Sequence, residues 1–163
     1  MFIIFCSDPF DGRQPDSAYA EEAAAVRALG GMYALIDYEA LVAGADARRV
    51  VRSIEAPACM TLAIYRGWML RPSQYERLFA ALLTQQLALI ITPDAYRHTH
   101  HFPESYAVIA AHTSAPVWLP LKGDVPMDRV MEVLRPFGAQ PVIVKDFVKT
   151  GKCGITVGSP RVP

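Results

Sequence analysis

His98, Thr99, His100 and His101 form the densest run of metal-ligating residue types in the chain. Imidazoles this close could bind zinc, copper or nickel. A structural zinc site wants four ligands, and no Cys or carboxylate stands at a familiar spacing. His112 can be added, but nothing in the spacing forces it. No metal site is therefore predicted, and the run reads as a polar surface loop. Arg66, Arg71 and Arg97 are candidates for holding an anionic substrate, because a guanidinium presents a fork matched to carboxylate or phosphate. A solvated surface accounts for the same three residues. Lys145 and Lys149 stand in PVIVKDFVK, residues 141–149. Alternation along a strand puts Ile143 and Lys145 on one face. A Lys ending an apolar strand places a compact positive charge beside a low-dielectric wall, which suits a phosphate group. The bland alternative is a core strand whose charges mark its exit. Asp8 and Asp11 could polarise a substrate, but loop Asp residues usually cap turns. Trp68 and Trp118 read as packing residues. No Ser–His–Asp pattern can be placed.

The elements that must carry these groups follow from periodicity. Residues 2–6 read as a buried strand, and residues 7–15 as a turn-rich loop with two Pro and a Gly. A loop at the carboxyl end of a first parallel strand often lines a ligand crevice, but this one lacks GxGxxG, so no dinucleotide site is read there. A helix over about 16–29 is capped by Asp16 or Ser17 and stopped by Gly30 and Gly31. Residues 32–36 form the next strand. Residues 39–54 are divided by Gly44, and Asp46 can cap a helix through Arg52. A third strand covers 60–65. Pro72 suits the first turn of a helix over 72–86, Ser73 and Glu76 have capping-box spacing if the start lies one residue later, and Leu78, Phe79, Leu82 and Leu83 form its apolar face. A fourth strand covers 87–91. This alternation predicts an α/β fold, a parallel sheet flanked by helices. Beyond it, the sequence predicts a turn of helix at 94–97, a helix over 104–112, a strand over 116–119, a turn over 122–125, a helix over 126–134 and the strand that opens PVIVKDFVK.

Composition narrows the function classes. With 163 residues, 52% hydrophobic and 20% charged, the chain can bury a real core. Zero formal net charge gives no bulk electrostatic reason for nucleic acid or an anionic membrane as a partner. No apolar run approaches the length of a membrane-spanning helix. The three cysteines are too scattered for a disulfide framework, which makes a reducing cytoplasm the expected location. The expected partners are a small-molecule substrate of unidentified class and, at most, a second copy of the chain.

Three motifs occur in order: YRGWMLRPSQY (residues 65–75), TPDAYRHTHHFPESY (92–106) and LRPFG followed by VIVKDFVK (134–149). Together they resemble a group of bacterial ATP-grasp domain proteins, over residues 1 to about 149. The resemblance implies a Rossmann-like pre-ATP-grasp domain over 1–92 and the start of an ATP-grasp N-lobe over 93–149. It also implies ATP-dependent carboxylate–amine (or related) ligation with ATP and magnesium. Lys145 matches the lysine that meets ATP phosphate, and Lys149 is a weaker candidate. The family's magnesium-holding groups belong to a second lobe. Residues 150–163 depart from the family: TGKCGITVGSPRVP is turn-rich, does not read as a partner strand, and is expected to be poorly packed. Its GKC is not the GK[ST] of a phosphate loop. The expectation is a shortened ATP-grasp chain that does not ligate alone and binds ATP weakly if at all. The alternatives are a non-catalytic α/β module that binds a small molecule or a partner chain, and a different enzyme using the arginines at 66, 71 and 97.

Overall fold

The short apolar runs of the first hundred residues form four strands: β1 (Phe2–Cys6), β2 (Met32–Ile36), β3 (Thr61–Tyr65) and β4 (Leu87–Leu89). In the computed structural model, which describes residues 1–119, 124–138, 140–144 and 155–157, they make one parallel sheet in the order β2-β1-β3-β4. The predicted parallel α/β sheet is thus present, with β1 in its interior. The register runs from Phe2 opposite Met32 on one side to Phe2 opposite Ala63 on the other. The chain divides into two units, Met1–Thr99 and His100–Pro163.

In the first unit, helices cover the two sheet faces as strand alternation requires. Phe5, with Ile3, Tyr33 and Leu35 around it, meets Tyr19, Ala23 and Val26 from helix α1 (Ala20–Ala28) and the turn before it. Phe2, Ile4, Ala63, Leu87 and Leu89 pack into the larger core on the opposite face. That core is completed by α2 (Tyr38–Val42), α3 (Ala47–Val51) and α4 (Pro72–Thr84). Asp37 and Asp46 cap α2 and α3, accepting from the Ala40 and Arg48 N–H groups. Gly44 bridges the two helices with φ of 94°, a left-handed value that disfavours a side chain.

Helix α4 corrects two expectations. Its start is braced by Gln74, whose Oε1 accepts from the Arg71 N–H at 2.8 Å, not by Ser73 and Glu76. Pro72 as the first helical residue fixes that earlier start. Its buried face is Tyr75, Leu78, Ala81 and Leu82, while Leu83 stays exposed. The apolar stripe therefore runs at three- and four-residue steps back to Tyr75.

The histidine run is also corrected. Instead of a turn followed by a loop, residues Pro93–His100 form a helix, α5. Thr92 starts it, accepting from the Ala95 N–H on Oγ1 and from the Tyr96 N–H on its carbonyl, with Pro93 as the first helical residue. His101 is buried rather than displayed on a surface.

The second unit holds α6 (Phe102–Ile109), α7 (Met127–Leu134) and two short strands, β5 (Val142–Val144) and β6 (Ile155–Val157). Residues 116–119 form no strand. Pro116 has no N–H for a ladder, and Trp118 instead meets Phe102 and Tyr106 edge-on at 5.4 and 6.3 Å. The tail expectation is overturned at one place: Ile155–Val157 pairs antiparallel with β5, Val144 opposite Ile155. Ile155, Thr156 and Val157 are three successive β-branched residues, and that propensity outweighs the surrounding glycines. The expected turn at 122–125 falls largely outside the described residues. Among the described residues, no helix is long and apolar enough to cross a membrane.

Candidate functional site

In an open parallel sheet, ligands bind outside the carboxyl ends of the strands, where connections leave in opposite directions. Here that point lies between β1 and β3, because β1 connects to β2 on one side and β3 lies on its other. The residues beyond both strands are tied to each other. The Asp16 N–H donates to the Cys6 carbonyl at 2.9 Å, and the Arg66 N–H to the Ile4 carbonyl at 2.8 Å.

The loop after β1, residues 7–15, is closed on itself. Asp8 Oδ1 accepts from the Phe10 and Asp11 N–H groups, and Asp11 Oδ1 from that of Arg13. The N–H groups of Ser7, Asp8 and Gln14 donate to the Ile36, Gln14 and Asp11 carbonyls. Asp8 and Asp11 thus act as turn caps, the bland role foreseen for them. Phe10 stands fully exposed at the tip, 99% accessible.

The segment after β3 is held by three tyrosine hydroxyls. Those of Tyr65, Tyr38 and Tyr96 donate to the successive carbonyls of Trp68, Met69 and Leu70, at 2.6, 3.2 and 3.3 Å. Tyr96 stacks on Tyr75 at 3.8 Å. Cys6 Sγ lies 3.7 Å from the Tyr65 hydroxyl. Burial is the main cause that pushes the Cys6 thiol up to about 11. At neutral pH it is a thiol, not a nucleophile. Gly67 fits only because it has no side chain: a Cβ there would lie 2.6 Å from Cys6 Sγ and 2.7 Å from the Tyr65 ring.

Two side chains of this segment turn back over α1's start. The Trp68 indole N–H donates to Asp16 Oδ2 at 2.9 Å, while Asp16 Oδ1 accepts from the Ala18 N–H at 2.8 Å. Arg66 grips Glu22 with both prongs, Nε to Oε2 at 2.8 Å and Nη2 to Oε1 at 2.7 Å. Its guanidinium lies over the Tyr19 ring, 5.3 Å from the centroid. Tyr19 is buried against Phe5 and meets Trp68 edge-on at 5.5 Å. The hydrogen bonds that Arg66 donates to Glu22 raise its pKa further.

The three candidate arginines sit on separate elements and share no partner. Arg66 follows β3, Arg71 precedes α4 with an exposed side chain, and Arg97 on α5 lies 3.5 Å from Asp94 on the same helix. Lys145 and Lys149 lie outside the described residues. His98 and His100 are both on α5, two residues apart, so they project in different directions. Among the described residues, no group of three His, Cys, Asp or Glu side chains could hold a metal ion. A separate shallow cleft of about 270 Å³ lies between α3 and α4, walled by Arg48 and Arg77 over alanines. The polar groups beside it, Asp46 and Thr84, already bond to main chain.

Sequence reasoning missed Tyr38, Tyr65 and Tyr96. They stand 27 or more residues apart with no spacing to link them, and only the sheet topology brings them to one loop. It also missed Glu22, whose partner Arg66 lies 44 positions away. The chain matches no protein-family model, and comparison with curated proteins and with solved structures finds no match either.

Proposed function

We propose that this chain is the front portion of an ATP-grasp protein. In this reading residues 1–92 are its pre-ATP-grasp domain and 93–149 the start of its nucleotide-binding lobe. Lys145 meets ATP phosphate, with Lys149 beside it in sequence, and the whole protein joins a carboxylate to an amine or a related nucleophile. The observation that carries the reading is the order and placement of the motifs. YRGWMLRPSQY forms the end of β3, the tyrosine-held segment and the first turn of α4 at the β1/β3 crevice. TPDAYRHTHHFPESY supplies α5 and the start of α6, and VIVKDFVK begins as β5. ATP and magnesium are the cofactors of the whole protein. A single lysine contact in water is worth about 1 kcal/mol or less, whereas micromolar affinity needs about 8 kcal/mol.

Nuclear magnetic resonance of the ¹⁵N-labelled chain titrated with ATP and magnesium tests this. Weak, saturable shifts centred on Lys145 and Val142–Val144, weakened by about fivefold or less in Lys145→Ala, are expected. Shifts confined to Met1–Thr99, or none, would refute the assignment of Lys145. Micromolar affinity would refute the incompleteness.

The second reading is a non-catalytic binding module. It is favoured by the crevice itself, where Arg66, Trp68 and Tyr65 are all satisfied by the chain's own groups.

A further inference from the structure

We propose that Arg66 is a carboxylate-binding group at the β1/β3 crevice, and that Glu22 occupies the ligand's place until a carboxylate displaces it. This concerns Met1–Thr99 alone and stands or falls independently of ATP.

The neighbouring main chain offers an anion little. Phosphate loops bind through free N–H groups. Here every N–H from Ser7 to Asp16 donates internally, except that of Gly12 among the described residues; Pro9 and Pro15 have none. Recognition of an anion at this crevice therefore falls to a side chain. Arg66 has the right position, because its own N–H extends the β3–β1 ladder onto the Ile4 carbonyl and fixes its Cα at the strand's end. It also has the right plane. Tyr19, buried and packed between Phe5 and Trp68, underlies the guanidinium and still supports it when Glu22 leaves.

The Glu22 contact shows which chemistry fits. Two parallel bonds at 2.8 and 2.7 Å are the geometry of an Arg fork on a planar carboxylate. The pair is open to exchange, since its side chains are 52% and 44% accessible. Exposed pairs of this kind contribute little to stability. Glu22 loses little by letting go, because it stands in the first turn of α1, where the helix dipole favours a negative charge. The incoming group is thus a small carboxylate that reproduces the Glu22 bonds, not a dinucleotide.

The test is a titration of the full ¹⁵N-labelled chain with succinate at constant ionic strength, balanced with sodium chloride. The signals read are the Arg66 Nε–H, assigned by its loss in Arg66→Lys, and the Trp68 indole N–H. Saturable shifts at both are expected. Glu22→Gln, or Glu22→Ala as a second variant, should tighten binding about threefold, the factor set by freeing Arg66 from an exposed pair. Glu21→Gln removes the same charge from the same turn and should leave the affinity unchanged. Arg66→Lys should abolish saturation at Trp68. Equal effects of Glu21→Gln and Glu22→Gln would overturn the proposal, as would shifts that stay linear in Glu22→Gln or survive Arg66→Lys.

Discussion

Replacing Gly67 by Ala adds one methyl group where no space exists. The new Cβ would approach Cys6 Sγ to 2.6 Å and two Tyr65 ring carbons to 2.7 Å. Comfortable carbon contacts lie near 3.5–4.0 Å, so each neighbour must retreat by about 1 Å. Neither can do so freely. Cys6 is fully buried on the central strand, and the Tyr65 ring is anchored through its hydroxyl to the Trp68 carbonyl. The backbone at Gly67 does not add to the penalty, since its φ is not in the left-handed region. Overpacking of this kind costs about 1–3 kcal/mol, and the expected loss for Gly67→Ala lies in that range. Urea unfolding followed by tryptophan emission measures it, with Gly12→Ala as the control because a Cβ there meets nothing within 4 Å. Cys6→Ala removes one of the colliding atoms. The double variant should therefore recover roughly 0.5–1.5 kcal/mol of the loss, a coupling typical of residues in contact. If Gly67→Ala matches Gly12→Ala within about 0.5 kcal/mol, the packing described around Cys6 and Tyr65 is wrong.

The Cys6 thiol, raised from 9.0 to about 11, makes stability fall with alkaline pH: above 9 the unfolded chain releases this proton while the folded chain keeps it. That rise corresponds to roughly 2–3 kcal/mol, present below pH 9 and lost by pH 11; the fall in urea midpoint from pH 8 to 10.5 should be smaller in Cys6→Ala, the remainder coming from the buried tyrosines, which burial also raises, and an undiminished fall would count against it. Asp16→Ala removes both a helix cap and the Trp68 indole acceptor, and should cost about 1–2 kcal/mol in the same assay. Asp16→Asn keeps the cap oxygen and should lose less than half as much; equal losses would place the effect in charge alone.

Much of the first unit could be read from the sequence because its signals are local. The runs FIIFC, MYALI and TLAIY announce strands by composition, and Asp46 announces a cap by position, while the cap at Asp37 shows only in the structure. Only one turn of the helix through His98 is legible at 94–97, because a Thr-Pro pair after a strand marks a strand's end and a helix's start equally well. The strand at Ile155–Val157 was missed because glycines on either side outweighed three β-branched residues in the reading. The crevice was legible only in part. Arg66 was a candidate by type, but its partner lies 44 positions away on another element. The three tyrosine hydroxyls are linked only by the fold. Such contacts are set by how strands are ordered, and strand order leaves no mark within any one segment.

The position of β1 has a consequence for how the chain matures. Phe2–Cys6 leaves the ribosome before both of its partners: one edge finds its partner thirty residues later, at Met32, and the other sixty-one residues later, at Ala63. Doubling a loop adds only about 0.6 kcal/mol of closure entropy, so the delay is a matter of time more than of energy. At a synthesis rate of about 5–20 residues per second, the oldest strand waits several seconds with one edge open. The parts of the sheet made last, β3 and β4, are those that close it. β1 therefore stays half-paired until β3 has emerged, and a nascent chain halted before residue 61 exposes an unpaired, apolar edge to any neighbour on the same message.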